Sequence, residues 1–405
     1  MTDVARVFRE EHGRTVAVLT RVLGDLDLAE DAVQDAFVTA LTHWPEHGVP
    51  PSPAGWILTT ARNRAIDRLR REAKRDDRQA QAALLHAQAE PEEDAVQDDR
   101  LRLIFTCCHP ALAPNAQVAL TLRLLGGLDT TEIARAFLVP EPTVAQRIVR
   151  AKRTLAEKRI PFEIPRGPEL NERLASVLEV IYLTFNEGYS ATEGEDWMRP
   201  QLCEEALRLG RILCGLMPQE AEVLGLTALM EIQASRIAAR IGPQGEPILL
   251  LDQNRALWDQ LLIRRGLAAL AHAETLTSAF GRYGLQAAIA ACHARATKAD
   301  QTDWTKIASL YDALATLETS PVVELNRAVA YSMARGPQAG LDMVDALLGA
   351  EALKDYHLLP SVRGDLLTKL GRLEEAETEF RRAASLTQNA REKSLLLART
   401  AACRQ

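Results

Sequence analysis

Aromatic side chains make up only 5% of the 405 residues, and almost no stretch alternates apolar with polar positions. Half-buried strands need that alternation, so a sheet is excluded as the main architecture. Nowhere do eighteen apolar residues follow one another, and the first residues, MTDVARVFREEHGR, mix acids with bases and hold no apolar core. Neither a membrane helix nor a signal peptide is expected, and the chain reads as soluble and cytoplasmic. The cysteines, Cys107, Cys108, Cys203, Cys214, Cys292 and Cys403, form no CxxC and no spacing typical of a disulfide framework; reduced thiols inside helices are the expectation. GxxxxGK[ST], GxSxG and GxGxxG are all missing, so neither an enzyme nor a bound cofactor is expected.

Two histidine-containing clusters invite a metal reading and fail it. Cys107, Cys108 and His109 are adjacent, and neighbours on a helix point about 100° apart, which does not bring them to one ion. His43 and His47 flank Pro45 and lack the glutamate of an HExxH helix, so no metal site is expected there.

What the sequence does contain is helix. Hydrophobic residues reach 47%, with Ala, Leu, Arg and Glu recurring throughout, and the fold class expected is all-α in two or three domains. The formal net charge is −7, yet its distribution is uneven. Residues 61–75 carry seven bases against two acids, residues 76–100 two bases against eight acids, and residues 101–160 nine bases against four acids. Two basic helical blocks are thus joined by an acidic, apolar-poor stretch that reads as a flexible linker.

The first block resolves into three helices. Val4, Val7, Phe8, Thr15, Val16, Leu19, Val22 and Leu23 recur at helical spacing before Gly24. In LAEDAVQDAFVTAL the apolar face is Leu28, Ala32, Val33, Ala36, Phe37, Ala40 and Leu41, with Asp31, Gln34 and Asp35 opposite. Pro45, Pro50, Pro51 and Pro53 predict a loop before the third helix, WILTTARNRAIDRLRR, which turns Trp56, Ile57, Leu58, Ala61, Ala65, Ile66 and Leu69 inward.

The second block ends in TTEIARAFLVPEPTVAQRIVRAKRTL, which has the pattern of a helix–turn–helix. Asp129 and Glu132 make a capping box; Ile133, Ala134 and Phe137 face inward; Pro142 opens a second helix whose Val144 and Ile148 close the core. Thr143, Gln146, Arg147, Arg150 and Arg153 remain outside, with Lys152, Lys158 and Arg159 along the flank, all able to bond base edges or phosphates. Leu138 stands at the turn position where glycine is usual. A single helix–turn–helix makes few base contacts, and the basic helix with Trp56 and Asn63 supplies a second nucleic-acid element in the same chain.

The order of these parts resembles a bacterial RNA polymerase sigma factor of the extracytoplasmic function (ECF) class. DLAEDAVQDAFVTAL resembles the helix that docks on the core polymerase clamp, placing Asp31, Gln34, Asp35 and Phe37 in that motif. WILTTARNRAIDRLRR resembles the element that melts and reads the −10 region, implicating Trp56, Arg62, Asn63, Arg64 and Arg68. The helix–turn–helix resembles the −35 reader, with Thr143, Gln146, Arg147, Arg150 and Arg153 on its recognition helix. The resemblance implies as partners core RNA polymerase, through clamp and flap, and promoter DNA, with no membrane. The acidic linker can then lie in a polymerase channel whose positive walls are built for nucleic acid, or merely keep the two basic domains soluble and apart.

Past PFEIPRGP, residues 169–405 are Ala/Leu-rich helices. KLGRLEEAETEFRRAASL has the spacing of a tetratricopeptide second half, in Gly371, Leu373, Ala376, Phe380 and Ala383, with Gly364 at the helix crossing and Gly336 one period upstream. FTCCHPAL and FNEGYSA resemble segments of an ECF subgroup bearing such an extension. FNEGYSATEGEDW reads as a ligand or effector loop, a structured interdomain contact or a plain exposed loop, its carboxylates lacking the spacing of a cation loop. The expected organisation is therefore a region 2 domain at 1–75, linker at 76–100, region 4 domain at 101–160, Pro-rich linker at 161–168 and TPR-like extension at 169–405, folding back to govern the rest. The alternatives are an operator-binding regulator that does not replace sigma, or a helical-repeat adaptor or enzyme with vestigial DNA-binding domains.

Overall fold

The computed structural model describes residues 3–72, 93–137, 139–191, 193–194, 197–243 and 245–404. Residues 73–92 of the acidic linker and Leu138 lie outside the described residues. Eighteen α-helices account for nearly all regular structure among those described, as the sparse aromatics and missing alternation require. No described helix is long and apolar enough to cross a membrane. The chain divides into two compact units, residues 1–183 and 184–405.

In the first unit, α1 (Asp3–Leu23), α2 (Leu26–His47) and α3 (Pro53–Glu72) pack together. Gly24, with φ +66°, ends α1 by donating to the Thr20 carbonyl, and Asp25 caps α2 by accepting from the Leu28 amide. Two expectations need correcting. Pro45 does not end α2 but sits in its last turn on the exposed side, where forfeiting a hydrogen bond to the Leu41 carbonyl costs least. His43 and His47 therefore share one helix, their rings stacked 4.1 Å apart.

The next helix, α4 (Glu93–Cys107), starts inside the stretch read as linker. Its Asp99 is fully buried and accepts from Arg21 Nε at 2.8 Å and Arg102 Nη1 at 2.6 Å, so the end of the acidic run is folded against α1. The remaining helices of this unit are α5 (Pro114–Leu124), α6 (Thr130–Ala136), α7 (Glu141–Glu157) and most of α8 (Pro168–Tyr189). Gly127 has φ +72°, and a Cβ there would stand 2.8 Å from the Phe8 ring; only glycine fits this turn so close to α1. Cys107 and Cys108 are buried in the core, and burial pushes the Cys108 thiol up to about 12. Arg173 of α8 donates to the Phe105 carbonyl at 2.7 Å.

The second unit is built around α10 (Ala221–Ala234), nearly all of whose residues are buried, following α9 (Pro200–Leu216) and packing on α11 (Gln260–Leu276) and α12 (Arg282–Arg295). Helical hairpins follow, from α13 (Trp304–Leu317) through α14 (Pro321–Arg335), α15 (Pro337–Ala346), α16 (Leu358–Lys369) and α17 (Leu373–Leu386) to α18 (Ala390–Ala402). Gly336 and Gly371 turn two of these hairpins at φ +101° and +75°. A Cβ at Gly364 would meet the buried Phe380 ring at 2.8 Å, the tight helix crossing that the repeat spacing predicts. Glu193–Gly194 pairs in parallel with Gln388–Asn389, and Asn389 Nδ2 donates to the Ala191 carbonyl at 3.2 Å. FNEGYSATEGEDW is thereby tied to the last hairpin; its residues 192, 195 and 196 lie outside the described set.

Candidate nucleic-acid interface

Local sequence chemistry sets which face of α7 is free. The Glu132 amide donates to Asp129 at 2.7 Å and the Asp129 amide donates to Glu132 at 2.8 Å, so both arms of the capping box form. α6 packs against α7, and Ile133 and Ala134 of the one and Val144, Ile148, Ala151 and Leu155 of the other are all buried, while Phe137 is half-buried. Ile133, Val144, Ile148 and Leu155 each contribute about 1.5–3 kcal/mol to that seat. With that face committed, Gln146, Arg150 and Arg153 are exposed, and Thr143 and Arg147 flank them half-buried. Val149 lies in the same row and is 64% exposed, an apolar group among hydrogen-bond donors, as a thymine methyl would require.

Lys152 does not belong to that row. It turns away to meet Asp27 at 2.5 Å and Glu30 at 2.6 Å, both on α2. Arg123 reaches Glu30 from α5 at 2.5 Å. Glu30 is 3% exposed. Burial alone would raise its pKa, but Lys152 and Arg123 overcome this and hold its carboxyl below the usual range. Burial would likewise lower the Lys152 ammonium, and Glu30 and Asp27 raise it instead. One carboxylate thus sits between two cations, across the junction of α2 with α5 and α7.

On the outer face of α2, Asp35 is exposed, Gln34 half-buried and hydrogen-bonded to Glu30 at 2.8 Å, and Asp31 paired with Arg68 at 2.6 Å. Phe37 is not on that face. It is buried edge-on against Phe8, ring centres 4.8 Å apart. Leu41, assigned inward on sequence, is 57% exposed, and Val38 is 61% exposed. Helical geometry could have found Leu41, because residues seven apart differ by only about 20° around the axis, which aligns it with Gln34.

On α3, Asn63 and Arg64 are exposed, and Arg62, Arg68 and Trp56 half-buried. Arg64 donates to the Thr39 hydroxyl at 3.0 Å. Trp56 stacks edge-on against the buried Trp44, centres 5.5 Å apart. An indole held at the surface with a row of polar and cationic side chains below it suits stacking on an unpaired base and backbone tracking. Among the described residues no group of three His, Cys, Asp or Glu is placed to hold a metal ion.

Family comparisons divide the chain in the same order. Residues 7–75 match the model of sigma-70 region 2, residues 102–155 that of sigma-70 region 4, and residues 173–274 a family of unknown function, DUF6596. An uncharacterized protein of Rhizobium meliloti, R00370, is 45% identical over 391 residues, covering 94% of this chain and 90% of its own. The probable ECF RNA polymerase sigma factor SigI of Mycobacterium tuberculosis is 26% identical over 167 residues, 40% of this chain and 57% of that one. The ECF RNA polymerase sigma factor SigK of Mycobacterium bovis is 27% identical over 157 residues, 37% of this chain and 82% of that one.

Proposed function

Because the chain belongs to the ECF class of RNA polymerase sigma factors, with a C-terminal helical extension, we propose a residue-level division of its work at a promoter. Asp31, Gln34 and Asp35, joined by exposed Val38 and Leu41, dock on the polymerase clamp. Trp56, Arg62, Asn63, Arg64 and Arg68 handle the melted −10 region, Asn63 contacting a base. Thr143, Gln146, Arg147, Arg150 and Arg153 read the −35 duplex while their domain rests on the flap. The supporting observation is the exposed row Gln146, Arg150 and Arg153 on α7, a helix that follows the capped α6 and whose Val144 and Ile148 are buried. Promoter-dependent transcription by core polymerase tests it. Arg150→Ala should weaken initiation at promoters bearing a −35 element; equal loss on templates without one would sink the assignment. Co-purification with core polymerase separates this reading from an operator-binding regulator.

The free chain, on this reading, rests closed. Elements centred at −10 and −35 lie roughly 25 base pairs apart, about 85 Å at 3.4 Å per pair. Lys152 beside the reading row and Glu30 beside the docking face are in direct contact, so the two halves must separate before both elements are engaged. Core polymerase, binding the neighbouring face of α2, competes for that junction. The extension tunes the same equilibrium. A chain ending at Leu183, the end of the first compact unit, should differ from full length in transcript yield or promoter selectivity; identical transcription would remove the extension from the account.

A further inference from the structure

Within the second unit, guanidinium groups and aromatic rings alternate. Arg240 lies 3.6 Å over the Tyr189 ring and 5.4 Å from that of Trp197; Arg236 is 5.8 Å from both Tyr189 and Trp258; Arg255 is 4.8 Å from Trp258 on its other contact. The two outer arginines are anchored. Arg240 donates to the Tyr189 carbonyl, and Arg255 donates to the carbonyls of His293 and Ala296, each at 2.6 Å, and to the Thr302 hydroxyl at 3.1 Å. Arg236, at the centre, is different. It is 7% exposed, its side chain makes no hydrogen bond or ion pair among the described residues, and it stands at the outer limit of useful ring contact.

Among the described residues no carboxylate pairs with it. None of the three arginines forms an ion pair with a described carboxylate, and the one acid that favours a charged Arg255, Asp300, acts at longer range. Burial, and then Arg236 and Arg255, hold His293 down to about 4, so the neighbouring imidazole is neutral. The donors Arg236 Nε and Trp258 Nε1 are buried without a partner, as is His293 Nδ1. A buried cation without a partner costs several kcal/mol, and a guanidinium is a planar fork of donors shaped for an oxyanion.

We propose that Arg236 is the seat of a small oxyanion, a carboxylate or phosphate group of a soluble ligand, held between the Tyr189 and Trp258 rings with Trp258 Nε1 as a second donor. The ligand's flat or apolar remainder lies against those rings, which makes the extension a ligand-binding module. The site stands on the second unit alone and does not depend on the promoter assignment.

The test uses the full-length chain, with inorganic phosphate and acetate as probes and chloride at matched ionic strength as reference. Melting temperature and tryptophan emission are followed. The expected result is a higher Tm and a changed emission in at least one probe relative to chloride, absent in Arg236→Met; response to phosphate rather than acetate assigns a phosphorylated ligand, and the reverse assigns a carboxylate. Arg236→Lys, which keeps charge but loses the planar fork, should weaken half-saturation about tenfold. In chloride alone Arg236→Met should melt no lower than wild type, since it removes an uncompensated charge. Wild-type curves indistinguishable among phosphate, acetate and chloride would overturn the proposal, as would an undiminished response in the folded lysine variant.

Discussion

Each unit buries an ionic cluster, and the two are balanced in opposite ways. In the first unit Glu30 is held by Lys152 and Arg123, so charge is met by charge across the junction of α2 with α5 and α7. In the second, Arg236, Arg240 and Arg255 face rings and carbonyls, with no described carboxylate paired to them. A balanced pair between two halves persists only while the halves stay together, so it behaves as a latch. An unbalanced cation is completed from outside, so it behaves as a seat. The contrast separates what the chain must break in order to work from what it must bind.

Breaking the latch should have the largest effect. Lys152→Met leaves buried Glu30 short of a partner, a change costing about 3–5 kcal/mol where the charge cannot escape to water. Here separation of the halves exposes Glu30, so the expected outcome is a larger radius of gyration by small-angle scattering, with helicity unchanged. Glu30→Gln with Lys152→Met should restore compactness in part; an unaltered radius in the single variant would count against the latch. Acid should act in the same direction. Because the folded-state carboxyl of Glu30 lies below 4.5, its contribution is present above pH 4.5 and is lost as pH falls through the lowered value.

The second cluster predicts a different pH response. His293 is neutral in the folded unit, with its value near 4 against 6.5 when exposed. The unfolded chain therefore takes up the proton first, and stability is full above pH 6.5 and falls, by on the order of 3 kcal/mol, as pH drops towards 4. Urea unfolding of the full chain between pH 7 and 4.5 measures this. His293→Gln should flatten the slope; a slope unchanged by that substitution would place the titration elsewhere.

Smaller effects distinguish surface from scaffold. Leu41→Ser should leave the melting curve within about 0.5 kcal/mol of wild type and weaken core polymerase binding about tenfold, as expected for one lost apolar contact. Phe37→Leu should do the reverse, lowering stability while leaving the affinity of the folded fraction intact. Asp129→Ala should lower stability by about 1 kcal/mol through loss of the cap, with Asp129→Asn retaining most of it.

Local chemistry was readable from the sequence. Asp129 with Glu132, and Val144 with Ile148, announced the helix–turn–helix, and Gly364 with Phe380 announced a hairpin crossing, because these interactions span only a few residues or one repeat. What was hidden is long-range or directional. Lys152 looked like one more base on a basic flank, and its acidic partners stand more than a hundred residues earlier. The arginine ladder draws its rings from Tyr189, Trp197 and Trp258, positions with no common spacing to reveal them. Leu41 reads as inward because it stands four residues from Phe37, while its true neighbour around the helix is Gln34.

The latch is tested most directly by the distance between labels on exposed Glu46 of α2 and Glu157 at the end of α7, measured by double electron–electron resonance. The free chain and the chain bound to core polymerase on a promoter are to be compared. The account predicts one narrowly distributed distance in the free chain, lengthening by tens of Å in the complex, as two elements about 85 Å apart on the duplex demand. An unchanged distance in a transcribing complex would contradict it.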